Sequence, residues 1–208
     1  MKVLGLIPAR ANSVRAPGKN TAKIGDRSLI EWAYLRAKES DICHEIVCST
    51  NDRDAILVCH DIGCTVVERP EALAQPDTPM IKVVRHVAHL MEPDVIILLQ
   101  PTSPFRSTDD IKDAYKLLGT GDAVVSVTEP PEDLVFELGF AYRMRPAPCM
   151  VVPNGAIYII TAEHLKRAGN WYNGITYAHQ MPKERSIDID TPLDLEMARL
   201  FYAAKAAA

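Results

Sequence analysis

Residues 95–99 read Val95-Ile96-Ile97-Leu98-Leu99, five apolar side chains with no polar alternation. A strand with one wet face alternates apolar and polar positions. A short continuous run of this kind therefore reads as a strand covered on both faces. Similar runs occupy 2–8, 45–50, 65–68 and 123–128. Amphipathic helical patterns lie between them. One begins after Asp26 and places Leu29, Ile30, Trp32, Ala33 and Ala37 at helical spacing; others cover 52–61 and 80–91. A fourth follows Ser107 and Thr108, which can cap it, with Asp109 and Asp110 in its first turn. Strands alternating with helices of about 10–15 residues predict an α/β fold with a doubly wound, mostly parallel sheet.

The rhythm breaks after Thr128. Residues 129–153 hold five prolines together with Leu134, Phe136, Leu138, Phe140 and Tyr142. This stretch reads as an arm or hairpin leaving the sheet, either a surface loop or an oligomer contact. The strand pattern resumes over Gly155–Ile160, followed by a short helix near 161–168 and a β-like segment ending at Ser186-Ile187-Asp188-Ile189-Asp190. Thr191 caps a final helix with Pro192 at its first position. At 208 residues the chain reads as one domain, 1–208, with 129–153 protruding.

Composition narrows the partners. A net charge of -4 argues against broad nucleic-acid or membrane-surface binding. No apolar run reaches the roughly 18 residues that span a bilayer. Pro8 and Arg10 interrupt any leader-like pattern, so a cytoplasmic protein is expected. Five cysteines without a Cys-x-x-Cys pair read as free thiols. A zinc site from Cys43, His44, Cys59 and His60 would match no familiar metal framework. The histidines have no Ser or Asp partner at a telling spacing, and no G-x-S-x-G elbow exists, so a hydrolase triad has no support.

In an open parallel sheet, ligands collect beyond the carboxyl ends of the strands. Four polar clusters fall there. The loop 9–20 carries Arg10, Arg15 and Lys19 around a Pro17-Gly18 turn. Little bulk and fixed positive charge suit a polyphosphate. The loop is neither a P-loop nor a dinucleotide fingerprint. Glu68-Arg69-Pro70 and the following loop to Thr78 suit a base or ribose, or are a mere connection. Gln100, in Gln100-Pro101-Thr102-Ser103-Pro104-Phe105-Arg106, ends its strand facing the cleft with both donor and acceptor groups, which suit a neutral polyol or amide ligand. Strand alternation puts Asp188 and Asp190 on one face, with Ile187 and Ile189 turned to the core. Two neighbouring carboxylates repel unless a cation sits between them, and Mg²⁺ bridging to phosphate oxygens is the natural partner.

These segments together resemble the acylneuraminate cytidylyltransferase family, the CMP-sialic acid synthetases and their relatives. The matching stretches are IPAR and PGKN in the first loop, ERPEALA with the DT pair, LLQPTSPFR, PNGAIYI and SIDIDTPLDLEMA, in the family's order along the whole chain. Val14 stands where the sialic-acid enzymes carry Lys; Arg15 follows, giving S-x-R as in the CMP-Kdo synthetase loop. The resemblance implies a dimer and transfer of CMP from CTP to the anomeric hydroxyl of a 2-keto-3-deoxy sugar acid, with Mg²⁺ and release of pyrophosphate. It implies that Arg10, Ser13, Arg15, Lys19 and Asn20 hold the triphosphate and that Arg69 and Thr78 face the nucleotide. It places Gln100, Asn154 and Tyr158 near the acceptor and Asp188 and Asp190 on the metal. Asp190, Arg10 and Lys19 are then the catalytic set. Two rivals stay open: a nucleotidyltransferase for a different sugar or sugar-phosphate acceptor, and a non-catalytic nucleotide-binding relative.

Overall fold

The computed structural model describes residues 1–11, 16–130, 136–138, 144–146 and 150–207. Its centre is a seven-stranded sheet. Strand β1 (Val3–Ala9) is followed by a small antiparallel pair, β2 (Lys23–Ile24) and β3 (Arg27–Ser28), and by helix α1 (Leu29–Glu39). Strand β4 (Glu45–Thr50), helix α2 (Arg53–Ile62), β5 (Thr65–Glu68), α3 (Met80–Met91), β6 (Val95–Leu99), α4 (Thr108–Leu118) and β7 (Ala123–Thr128) continue the alternation. A separate two-stranded pair joins β8 (Phe136–Leu138) to β9 (Met144–Pro146). The chain returns with β10 (Val152–Thr161), α5 (Ala162–Arg167), β11 (Thr176–Gln180) and α6 (Pro192–Ala206).

The sheet order is β11-β7-β10-β6-β1-β4-β5. Every pairing is parallel except those of β10, which runs antiparallel to both β6 and β7. All residues of β1 and β6 are buried, as their unbroken apolar runs require. Leu4, Leu6, Ile96 and Leu98 pack on one face with Val84 and Val87 of α3; Val3, Val95, Ile97 and Leu99 pack on the other with Ile111, Ala114 and Leu118 of α4. Among the described residues no helix is long and apolar enough to cross a membrane.

The segment 186–190 is not a strand. The strand in this part of the chain lies earlier, at 176–180, where it pairs with β7. Single bonds take the place of a ladder at 186–190: Ser186 N donates to Lys183 O at 3.0 Å and Ile189 N to Thr102 O at 2.8 Å. The expected division of faces survives in part. Ile189 is fully buried among Ile24, Leu29, Trp32 and Ala198, whereas Ile187 is only half-buried. Truncating Ile189→Ala removes the plug that seats this segment. Urea denaturation should find a loss of about 2–5 kcal/mol. A loss under about 1 kcal/mol would mean that the segment is held by its polar bonds alone.

Candidate active site

The carboxyl ends of β1, β5 and β6 deliver Arg10, Arg69 and Gln100 into one cleft of about 490 Å³. Lys19, Asn20, Thr102, Asp188 and Asp190 complete its polar lining, with Pro76 and Met80 on its wall. A larger groove, about 810 Å³, opens at the opposite end of β6 between α3 and α5. Arg85 and Lys166 there alternate with Glu92, Asp94 and Glu163, so its charges compensate one another.

On the cationic side, Gly18 takes a left-handed φ of 69° and turns the chain into the single 3-10 turn of Lys19–Thr21. Buried Asn20 donates from Nδ2 to the Arg10 carbonyl at 3.2 Å, tying the two ends of the loop. Arg69 is only 5% exposed and donates to Ser49 Oγ at 3.2 Å and Ser49 O at 2.7 Å. Burial, with a smaller push from Arg10, brings its guanidinium down to about 10, so it remains charged at neutral pH.

On the acidic side, Thr191 and Asp194 form a capping box on α6, and Asp194 Oδ2 also accepts from Asp190 N at 3.0 Å. The doublet thus ends where α6 begins. Asp188 is open to the water of the cleft, yet its carboxyl lies among protein atoms. Desolvation pushes it up, the Asp190 charge adds to this, and Thr102 and Lys19 oppose it. Lys19 Nζ donates to Ile189 O at 2.9 Å and Asp190 Oδ1 at 3.2 Å, joining two segments 171 positions apart.

Not every expected residue reaches the cleft. Ser13 and Arg15 lie outside the described residues, as does Cys149. Thr78 is half-buried and is not part of the cleft lining. Asn154 sits behind the cleft, where its amide is used internally. Its Oδ1 accepts from Ser126 Oγ at 2.6 Å, and its Nδ2 donates to Ser186 Oγ at 2.8 Å. Tyr158 leans on Trp171 with ring centroids 5.1 Å apart, and burial pushes its hydroxyl up to about 12. It too is absent from the cleft lining. Cys48, Cys59 and Cys64 are buried thiols. Among the described residues no group of three or more His, Cys, Asp or Glu side chains is placed to hold a metal.

Two residues beside the cleft lie in stretches that the sequence singles out, Gln100–Arg106 and the PNGAIYI match, but received no role of their own there. Gly155 marks an irregularity in β10, with φ 78°, and a Cβ there would lie 3.6 Å from Gln100 Nε2 and Ser103 Oγ and 3.7 Å from Asp188 Oδ2. Its place in the Asn154-Gly155 pair was the available signal. Arg106 is 1% exposed and its Nη2 donates to the Gln100 carbonyl. Burial lowers its guanidinium to about 9 against the opposing pull of Asp188 and Asp110. Nothing in the residue spacing distinguishes it from a surface arginine.

An open, mostly parallel sheet with cations and paired carboxylates facing one crevice beyond the strand ends defines a protein of the nucleotidyltransferase fold. A family model described as Cytidylyltransferase matches residues 4–129. The CMP-N,N'-diacetyllegionaminic acid synthase of Legionella pneumophila is 33% identical over 220 residues, covering 93% of each chain. The N-acylneuraminate cytidylyltransferase of Escherichia coli is 28% identical over 95% of this chain and 51% of its own, so this chain spans about half of that relative. The structure of CMP:2-keto-3-deoxy-manno-octonic acid synthetase complexed with CTP is similar in fold, with a TM-score of 0.77 at 18% identity over 99% of this chain and 100% of that one. The chain belongs to the cytidylyltransferase family, and is a nucleotidyltransferase.

Proposed function

We propose that the protein transfers CMP from CTP to the anomeric hydroxyl of a 2-keto-3-deoxy sugar acid, with Mg²⁺, and releases pyrophosphate. The observation that carries this reading is the meeting of Lys19 with Asp190 in a cleft that also holds Arg10 and Arg69. Cations gathered on one side suit a triphosphate, and carboxylates on the other suit a hydroxyl that must lose a proton. The names of the relatives point to the same chemistry: one is a CMP-N,N'-diacetyllegionaminic acid synthase and another an N-acylneuraminate cytidylyltransferase.

In this reading the sugar hydroxyl oxygen bonds to the α-phosphorus of CTP, and the bond from that phosphorus to the β-phosphate oxygen breaks. The electron pair leaves with pyrophosphate, whose charge Arg10, Lys19 and Arg69 meet. Asp190 takes the hydroxyl proton. Gln100 orients the sugar. Asp188 and Asp190 would hold Mg²⁺, which when bound screens the phosphate charge. The donor set fits that ion: it is commonly held by one or two carboxylates with substrate phosphates and water filling the rest. The repulsion that helps push Asp188 up is what a cation relieves. We also read 1–208 as one unit that forms a homodimer; most of the 129–153 segment expected to make that contact lies outside the described residues.

The test is CMP-sugar formation from CTP across sialic, legionaminic, pseudaminic and Kdo-type acids, with GTP, UTP and sugar 1-phosphates as controls. Product with one of the acids is expected. Turnover only with a sugar 1-phosphate would move the protein to the rival acceptor class. Tight CTP binding in calorimetry with no turnover on any acceptor would favour a non-catalytic relative.

A further inference from the structure

The acidic doublet lies on a segment with no strand ladder, so a few discrete anchors must fix it. Ile189 N on Thr102 O and Lys19 Nζ on Ile189 O hold its far end. Its near end leaves the 3-10 turn Lys183–Arg185, where Ser186 N bonds back to Lys183 O. Arg185 is the last residue of that turn.

Its guanidinium grips Asp110 as a fork, Nε to Oδ2 at 2.8 Å and Nη2 to Oδ1 at 2.9 Å. Asp110 is a rigid base for this grip. It is 3% exposed, sits in the first turn of α4, and closes the capping box with Ser107, whose N and Oγ donate to Oδ2 at 2.8 and 2.7 Å. His179 Nε2 lies 3.6 Å from Oδ1. Burial works to raise the Asp110 carboxyl, but His179, Arg185 and Ser107 outweigh it and hold it well below the usual range. An ion pair with one member buried and bidentate geometry is less screened and more directional than a surface pair. The charges of Asp110 and Asp188 both act to keep the buried Arg106 protonated.

We propose that Arg185, clamped by Asp110, is a positioning residue that holds the 186–190 segment and so sets Asp188 and Asp190 in the cleft. Its effect on turnover rests on the CMP-transfer reading above; its effect on the segment does not. The test compares wild type, Arg185→Met and Arg185→Lys by steady-state kinetics and by hydrogen exchange of the 186–191 backbone. A misplacement of the doublet should lower kcat about tenfold in Arg185→Met, with KM for CTP changed less than about twofold. Arg185→Lys, which keeps charge but loses the fork, should recover part of the loss. The Ile189 and Asp190 amides should exchange faster in Arg185→Met while α4 keeps its protection. Unchanged exchange overturns the proposal whatever kcat does, since Arg185 would then act on substrate or on nothing. Faster exchange with unchanged kcat overturns it as a device for the reaction. If the wild type turns over no acceptor while exchange still quickens in Arg185→Met, the functional reading fails and the anchoring stands.

Discussion

The Asp190→Ala variant is expected to lose CMP transfer by a factor of about 10²–10³ or more. Asp190 lines the cleft, and its Oδ1 meets Lys19 at 3.2 Å. Its loss removes the assigned proton acceptor and half of the carboxylate pair together. The fold should survive. The bond that starts α6 uses the Asp190 backbone N–H rather than its side chain, and that side chain is 37% exposed. Pyrophosphate release at saturating CTP, with far-ultraviolet circular dichroism as the control, measures this. Near-normal turnover at saturating Mg²⁺ would remove Asp190 from both roles. Asp188→Asn should also be slow, but with an opposite sign in stability. The Asp188 carboxyl is pushed up in the folded state, so folding at neutral pH carries an unfavourable charge there. That penalty is full above the raised folded value and vanishes below the unfolded value of about 4. In the absence of metal and nucleotide, Asp188→Asn should therefore have a higher Tm than wild type at pH 7, and the gain should shrink as pH falls toward 4. A lower Tm at pH 7 would mean that Lys19 and Thr102 more than offset the burial.

Much of this architecture is legible from periodicity, because burial on two faces leaves an unmistakable mark. Val95–Leu99 is fully buried in the sheet, and the caps at Ser107 and Thr191 are made as their residue types suggest. Strand direction leaves no such mark. The run 155–160 looks the same whether it runs with or against its neighbours, and β10 runs against them. The alternation Ile187-Asp188-Ile189-Asp190 imitates a strand because one buried isoleucine and cleft-facing carboxylates need only an anchored chain. A ladder needs a neighbour as well, and β7 is paired on that side by 176–180. The acceptor end was the least legible part of the site. Asn154 is a polar residue beside the cleft, and only its bonds to Ser126 and Ser186 reveal that its amide is used inside. Arg106 shows the reverse: a residue type that belongs on the surface is the largest fully buried side chain among the described residues, recognisable only from packing.

CTP affinity should fall at least about tenfold in Arg69→Met, because a buried guanidinium near a phosphate is worth more than a surface one. Arg69 has already lost most of its water, so binding an anion incurs little further desolvation on the protein side. Its Nε and Nη2 are fixed on Ser49, which aims the guanidinium and limits the entropy lost on binding. Arg10 is close enough to depress it, so the two cations repel each other in the free protein. A polyanion between them converts that repulsion into attraction. The expected signature in calorimetry is a weakened Kd for CTP in Arg69→Met, with a smaller effect on kcat once the site is saturated. Lys19→Ala should behave differently. Lys19 binds Ile189 O and Asp190 as well as facing the cleft, so its removal should raise KM for CTP and lower kcat together. If CTP binds both variants as tightly as wild type, the triphosphate does not lie among these cations. The carboxylates opposite them would then need another explanation.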